Sequence, residues 1–365
     1  MKKYLFLILF VFCLFLVGCG KNSNGIKDDL IKKINNLKSY QLEGKLKVVN
    51  NDDVFNYDVM VNYKDKDYYR VSLKNNANNH EQIILRNDDG VYVVTPSLNK
   101  SFKFQSDWPY NNSQAYLLKN IVKDIESDKD ALEKTSEEDY IITSKVNFPN
   151  NPKLVQQKVT VDKNLMIKKV EILNADNISL MTFTVNKTNY KPSFDESFFE
   201  INSIINTSEN NENNKQEETN NNQNGKQEET NGNNQNNENN KQQETNQSAK
   251  TSTIDDIIYP LYIPTGTALT GEEKVSKTDG ERVILTFGGE KPFTLVEETT
   301  APLSEFTVIP TYGEPFLLID TVAALSNNSI NWVSNGIEYY IVSDVMSQNE
   351  LIEVAKSVNK VSVLK

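Results

Sequence analysis

Groups able to do acid–base, nucleophilic or metal chemistry are few in this chain. Its 365 residues include a single histidine, His80, and two cysteines, Cys13 and Cys19. One histidine excludes any multi-histidine metal site and leaves a single imidazole as a general base. His80 lies in Asn78-Asn79-His80-Glu81, which reads as a turn leading into the strand Gln82-Ile83-Ile84-Leu85. A histidine in such a loop is expected to be solvated rather than catalytic. The sequence holds no Gly-x-Ser-x-Gly elbow, no glycine loop to cradle phosphate and no spaced Cys or His ligand set. Its carboxylates occur in pairs such as Asp52-Asp53 and Asp88-Asp89, where Asp favours bends without doing chemistry. The chain therefore reads as a non-enzyme, with no cofactor and no metal. A net charge of −11 offers no basic stripe to displace phosphate counterions, which excludes a nucleic-acid partner.

The Cys19 thiol is the one group whose surroundings specify a covalent chemistry. Met1-Lys2-Lys3 is a short positive head, and Tyr4 to Val17 is an unbroken apolar run. That run is well short of the ~20 residues a bilayer span needs, so it reads as a signal-peptide core. Leu16-Val17-Gly18-Cys19 resembles the lipobox of bacterial lipoproteins. The resemblance implies that residues 1–18 are cleaved as a lipoprotein signal peptide, and that Cys19 becomes a palmitate-bearing N-terminus. The chain would then be tethered to the extracytoplasmic face of the cell membrane. Each buried lipid CH₂ contributes about 0.8 kcal/mol, and more than one chain gives stable anchoring. Cys13 leaves with the signal peptide, so the mature chain has neither free thiol nor disulfide, and its stability rests on packing.

The elements that follow divide the chain into a first domain over 19–202, a linker over 203–252 and a second domain over 253–365. Ser208 to Ser252 carries no aromatic residue, and Lys-Gln-Glu-Glu-Thr-Asn occurs at Lys215–Asn220 and Lys226–Asn231, with a variant at Lys241–Asn246. So little apolar surface cannot offset the ordering entropy, and an Asn/Gln/Glu-rich disordered linker is predicted. As a flexible coil it would span about 35–40 Å on average and about 150 Å when stretched.

In the first domain, Ile26, Leu30, Ile31, Ile34 and Leu37 recur at helical spacing. Tyr40, Leu42, Leu46 and Val48 then alternate with polar residues as a half-buried strand, and strands recur at short intervals as an antiparallel meander. After Trp108-Pro109, Asn112 or Ser113 is predicted to cap a helix carrying Tyr116, Leu117, Ile121, Val122 and Ile125. Strands resume at Tyr140–Val146, Leu154–Val161, Ile167–Leu173 and Leu180–Asn186. In the second domain, Pro260 and Pro264 bracket an edge-like Leu261-Tyr262-Ile263, and strands are predicted at Arg282–Phe287, Phe293–Glu297 and Phe316–Asp320. A hairpin turns at Asn335-Gly336, and a final helix is capped by Ser347 with Glu350 at capping-box spacing. Trp332 is expected to be a packing residue.

An N-terminal helix, a long meander broken by a helix, and the closing Tyr190-Lys191-Pro192-Ser193-Phe194-Asp195 with Phe198-Phe199 resemble the LolA-like superfamily. Thr95 to Pro109 resembles lipoproteins of spore-forming Firmicutes, including the clostridial germination lipoproteins that work with a cortex amidase. The second half of the chain looks like a β-rich domain found with anti-sigma-type and LolA-like proteins, added to that core. The resemblance implies a mainly β, α+β fold: an antiparallel half-barrel with helices, then a small β-rich domain with a C-terminal helix. Phe102, Phe104, Trp108 and Tyr110 are the candidate lining of an apolar cavity or a partner surface. Three functions follow as expectations. The first is a membrane-anchored lipoprotein that binds or regulates an envelope protein, such as a cortex amidase, in spore cortex processing or germination. The second is a binder or carrier of lipid or another hydrophobic ligand. The third is an envelope-stress regulator acting on an anti-sigma factor.

Overall fold

The computed structural model describes residues 25–50, 53–135, 138–205, 253–278 and 280–358. Residues 1–18, expected to be a signal peptide, together with Cys19 and the repeats of the 203–252 segment, lie outside the described residues.

The architecture is mainly β, as expected, and is built on two open sheets. In the first sheet, β1 (Ser39–Asn50), β2 (Asp53–Lys64), β3 (Tyr68–Asn75), β4 (Glu81–Asn87), β5 (Gly90–Thr95) and β6 (Lys100–Phe104) form an antiparallel meander. A second meander of β7 (Leu132–Thr135), β8 (Asp139–Lys145), β9 (Gln156–Asp162), β10 (Ile167–Leu173) and β11 (Ser179–Asn189) joins it where β11 pairs with β1. Period-two alternation dictates the buried face: Tyr40, Leu42, Leu46 and Val48 on β1 meet Tyr57, Val59, Val61 and Tyr63 on β2. The β1–β11 ladder shifts register at Glu43/Gly44. A Cβ at Gly44 would lie 2.5 Å from the Thr184 carbonyl oxygen, so only glycine allows the strands to close there.

Helices α1 (Ile26–Asn35) and α2 (Leu118–Ser127) add Leu30, Ile34, Leu118, Ile121, Val122 and Ile125 to this core. Fully burying one such side chain stabilises by about 1.5–3 kcal/mol. Helix α2 starts later than its sequence suggests. The Ser113 hydroxyl accepts the Asn147 N–H at 2.8 Å and the Ser113 N–H donates to the Asn147 carbonyl at 2.7 Å. This exchange pins residues 112–114 to the loop after β8, so neither Asn112 nor Ser113 caps the helix, and Leu117 stands at its N-cap.

The second sheet runs β12-β13-β14-β19-β18-β17-β16. Its strands are β12 (Thr267–Lys277), β13 (Gly280–Gly289), β14 (Phe293–Thr299), β16 (Glu314–Leu317), β17 (Val322–Leu325), β18 (Ser329–Ser334) and β19 (Ile337–Val342). Helix α3 (Gln348–Val358) packs on β18 and β19. Its capping box forms as expected: the Ser347 N–H donates to the Glu350 carboxylate at 2.9 Å, and the Glu350 N–H reaches the Ser347 hydroxyl at 3.3 Å. Asn335 and Gly336 turn the β18–β19 hairpin with φ of 51° and 79°. Trp332 is buried and stacks on Tyr339 at 5.0 Å, as a packing residue does.

Leu261-Tyr262-Ile263 is not a strand. Pro260 and Pro264 are buried anchors of an irregular strap, which leaves Leu261 65 % exposed between them. Strand β12, strongly polar in sequence, takes the edge position instead.

The two domains share a sheet. Strand β15 (Thr307–Thr311) leaves the second domain and pairs in parallel with β6, so that the first sheet has twelve strands.

Candidate functional site

The seam between the domains carries the polar and apolar groups that could serve a ligand or partner. It is built first from side chains that imitate backbone. On β4 the Gln82 side-chain carbonyl accepts the Val322 N–H at 2.6 Å and the Thr321 hydroxyl at 2.9 Å, while its amide donates to the Val322 carbonyl at 3.1 Å. Asn75 at the end of β3 donates to the Asp320 carbonyl at 3.1 Å, and the Tyr57 hydroxyl on β2 donates to the Ile319 carbonyl. These groups are all buried, and each is satisfied across the seam. At the other end of the seam, Lys100 on β6 reaches both carboxylate oxygens of Glu338 on β19 at 2.8 Å.

His80 belongs to this seam and is not solvated as its loop suggested. It is half-buried, and its Nε2 is shielded from water with no hydrogen-bond partner among the described residues. Burial pushes the imidazole pKa down, and the nearby Asp320 carboxylate partly counters this. Asp320 itself is pushed up by burial, against a 2.6 Å hydrogen bond from the Ser334 hydroxyl. His80 also borders a cavity of about 300 Å³ with Ser97, Leu98, Thr300 and Asn335. Among the described residues, no group of three or more His, Cys, Asp or Glu side chains gathers to hold a metal ion.

A second cavity of about 340 Å³ opens at the other side of the seam. Val48, Tyr116, Phe148, Leu154 and Leu180 line it from the first domain, and Phe316 and Leu317 from the second. Its lining also includes Asn50, Gln114, Asn151, Lys153 on the first domain and Lys356 on α3, whose ammonium pairs with Glu353 at 3.1 Å. Such a volume and mixture fit a small amphiphile. The turn Asn174–Ile178 forms part of the wall, held by the Asn174 side chain, which accepts the Asp176 N–H at 3.0 Å and the Ile178 N–H at 2.8 Å.

The four aromatic side chains singled out in the sequence separate in space. Trp108 lines the larger cavity and is otherwise buried, edge-on to Tyr69 at 5.9 Å. Phe104 lies wholly within the core. Phe102 is half-buried against the same core with the Lys100 ammonium 4.8 Å from its ring centre. Tyr110 is half-buried between Arg86 and Lys123, which lie 5.4 and 5.5 Å from its ring centre. Of the four, Trp108 is the one that lines either of these two cavities. Gln82, Asn75 and Tyr57, which hold the seam, lie outside that quartet. Their one sequence signal is a polar residue, Gln82, opening an otherwise apolar strand.

Comparison with known proteins places this geometry in a lineage. A family model described as "Sporulation protein YdcC-like" matches residues 1–199. The sporulation protein YdcC of Bacillus subtilis (strain 168) is 33% identical over 346 residues, covering 94% of this chain and 93% of its own. A match of that length reaches into the second domain, so the expectation that this domain is an addition is not confirmed. Among solved structures, the MucA/MucB complex of Pseudomonas aeruginosa matches with 13% identity and a TM-score of 0.31, covering 91% of this chain and 97% of the other. The CwlD amidase in complex with the GerS lipoprotein, from Clostridioides difficile, matches with 17% identity and a TM-score of 0.26, covering 48% and 96%. Likenesses at that level decide nothing about partner or ligand. The family match and the long curated relative do decide lineage: the chain belongs to the YdcC-like sporulation protein family.

Proposed function

We propose that the chain is a non-catalytic lipoprotein, anchored through Cys19 on the extracytoplasmic face of the cell membrane, that binds an envelope protein during sporulation. Membership of a sporulation family is the observation that carries this reading. The lipobox-like Leu16-Val17-Gly18-Cys19 supports the anchor. The resemblance of Thr95 to Pro109 to germination lipoproteins makes a cortex amidase the first partner to test. Deleting the gene in a spore former and measuring cortex muramic-lactam content and germination tests it. Reduced muramic lactam or delayed germination is expected, and normal values for both would remove the spore role.

The 340 Å³ cavity favours a second reading, in which the seam holds an amphiphile whose acidic head meets Lys153 and Lys356. Native mass spectrometry of the soluble two-domain chain is expected to show a bound lipid, and a chain free of ligand after extraction from sporulating cells counts against it.

A further inference from the structure

We propose that the outer edge of β6 is a strand-acceptor site for an extended segment of a partner protein, and that the arm Ala301–Tyr312 occupies it until that segment arrives. The arm springs from two fixed points. At one end, the N–H and hydroxyl of Thr300 both donate to the Gly336 carbonyl at 2.9 Å. At the other, Gly313 has φ of +104°, and a Cβ there would lie 1.9 Å from the Leu325 carbonyl oxygen, so the backbone is pressed onto β17.

Between these points the arm is held mainly by main-chain bonds. The Leu303 N–H donates to the Leu98 carbonyl at 3.1 Å and the Thr307 N–H to the Asn99 carbonyl at 2.9 Å, and the Asn99 side-chain amide adds a bond to the Leu303 carbonyl at 2.9 Å. The five-residue parallel ladder Thr307↔Lys100 to Thr311↔Phe104 completes the contact. Side chains add little. Leu303, Val308 and Tyr312 are 40, 39 and 89 % exposed, and Phe306, Ile309 and Thr311 are half-buried. Phe306 packs against the cluster of Ile83, Leu85, Tyr92 and Val94.

Release of the arm would not part the domains. The Gln82–Val322, Asn75–Asp320, Tyr57–Ile319 and Lys100–Glu338 contacts all lie outside it. An incoming strand that keeps the arm's parallel register offers β6 the same main-chain bonds in exchange. Addition beyond the arm is disfavoured. Thr307 turns its N–H toward β6, so by alternation position 310 faces outward, and there proline offers no N–H. Displacement gives a partner the fuller ladder.

The arm also describes the segment that would replace it. Glu305-Phe306-Thr307-Val308-Ile309 places an aromatic residue before a β-branched run, with an acid upstream. The partner would present an extended stretch of that pattern. This deepens the partner-binding reading above, and a synthetic probe separates its failure from any failure of the spore phenotype.

The test uses the full mature chain carrying Cys19→Ser and a fluorescein-labelled peptide of the sequence Leu303 to Thr311, read by polarisation with a scrambled peptide as control. Phe306→Ala with Ile309→Ala, which loosens the arm, is expected to bind the peptide at least tenfold more tightly than the unaltered arm. Ser101→Cys with Val308→Cys joins neighbours in the register and, once oxidised, is expected to abolish binding, which reductant restores. No binding to the loosened arm, equal binding to the oxidised lock, or failure of the cysteine pair to oxidise would each overturn the proposal. Hydrogen exchange on the unaltered chain gives an independent reading: β15 amides should exchange at least tenfold faster than those of β5, and equal protection of the two strands overturns it.

Discussion

Glu297 shows how a single carboxylate sets a pH dependence for the second domain. It lies buried on β14, and it accepts a hydrogen bond from the Ile258 N–H at 3.0 Å. Burial pushes its pKa up to about 7, against that hydrogen bond. The folded protein thus holds the proton more tightly than the unfolded chain does. Stability from this group is full below about pH 4.5 and is lost as pH rises through about 7. The loss is of order a few kcal/mol. Glu297→Gln keeps an acceptor for Ile258 and is expected to flatten the profile. Thermal melts at pH 5 and pH 8 should then agree more closely than those of the parent, and an unchanged difference would assign the pH dependence elsewhere. Gln82 is the second decisive residue. Gln82→Ala strands both the N–H and the carbonyl of Val322 in the seam, at about 1–3 kcal/mol for each buried unmet group. A fall of about 3 kcal/mol in guanidinium unfolding is expected, and a fall below 1 would mean that water replaces the amide. The sequence marks Gln82 only as a polar residue opening an apolar strand, because its partners lie 239 and 240 positions away. His80 was misread for the same reason: its turn is polar, and the domain that half-buries it is remote in the chain.

Among the elements, the strands of the two meanders were legible because their alternation is local and each is bounded by polar turns. Strand β15 was not legible. Thr307-Val308-Ile309-Pro310-Thr311 is short, contains proline and has no alternation, so its strand state comes from the β6 edge alone. Strand β12 was missed because Glu272, Glu273 and Lys274 suit an exposed edge better than a core. The strap from Ile254 to Pro264 shows the opposite error, since an apolar triplet between prolines looked like a strand, whereas the strap is held by its buried prolines, by Ile254 in the core and by the Ile254 and Ile258 N–H groups on Glu281 and Glu297. Of the aromatic quartet, Trp108 is the one whose loss tests the cavity wall. Large-to-small changes of this kind cost about 3–5 kcal/mol, and Trp108→Ala should lie near the lower end because one side of the ring already faces open space. Urea unfolding checks the value. Any lipid found by native mass spectrometry should be lost in the same variant.

For the whole molecule, the amino-terminal chemistry and the domain seam have separate consequences. Cys19→Ala is expected to move the protein from the membrane fraction to the soluble fraction with its unfolding midpoint unchanged, as followed by fractionation and palmitate labelling. Continued membrane association would remove the anchor from the reading. The seam, for its part, fixes how the two sheets meet through β15 and Gln82, both remote in sequence from residues 203–252. The separation in sequence therefore does not set the separation in space. Doubling such a connection costs only about 0.6 kcal/mol in closure entropy. Replication slippage can then gain or drop copies of Lys-Gln-Glu-Glu-Thr-Asn from one generation to the next while selection on the folded parts stays blind to the change, so sister strains should differ there first.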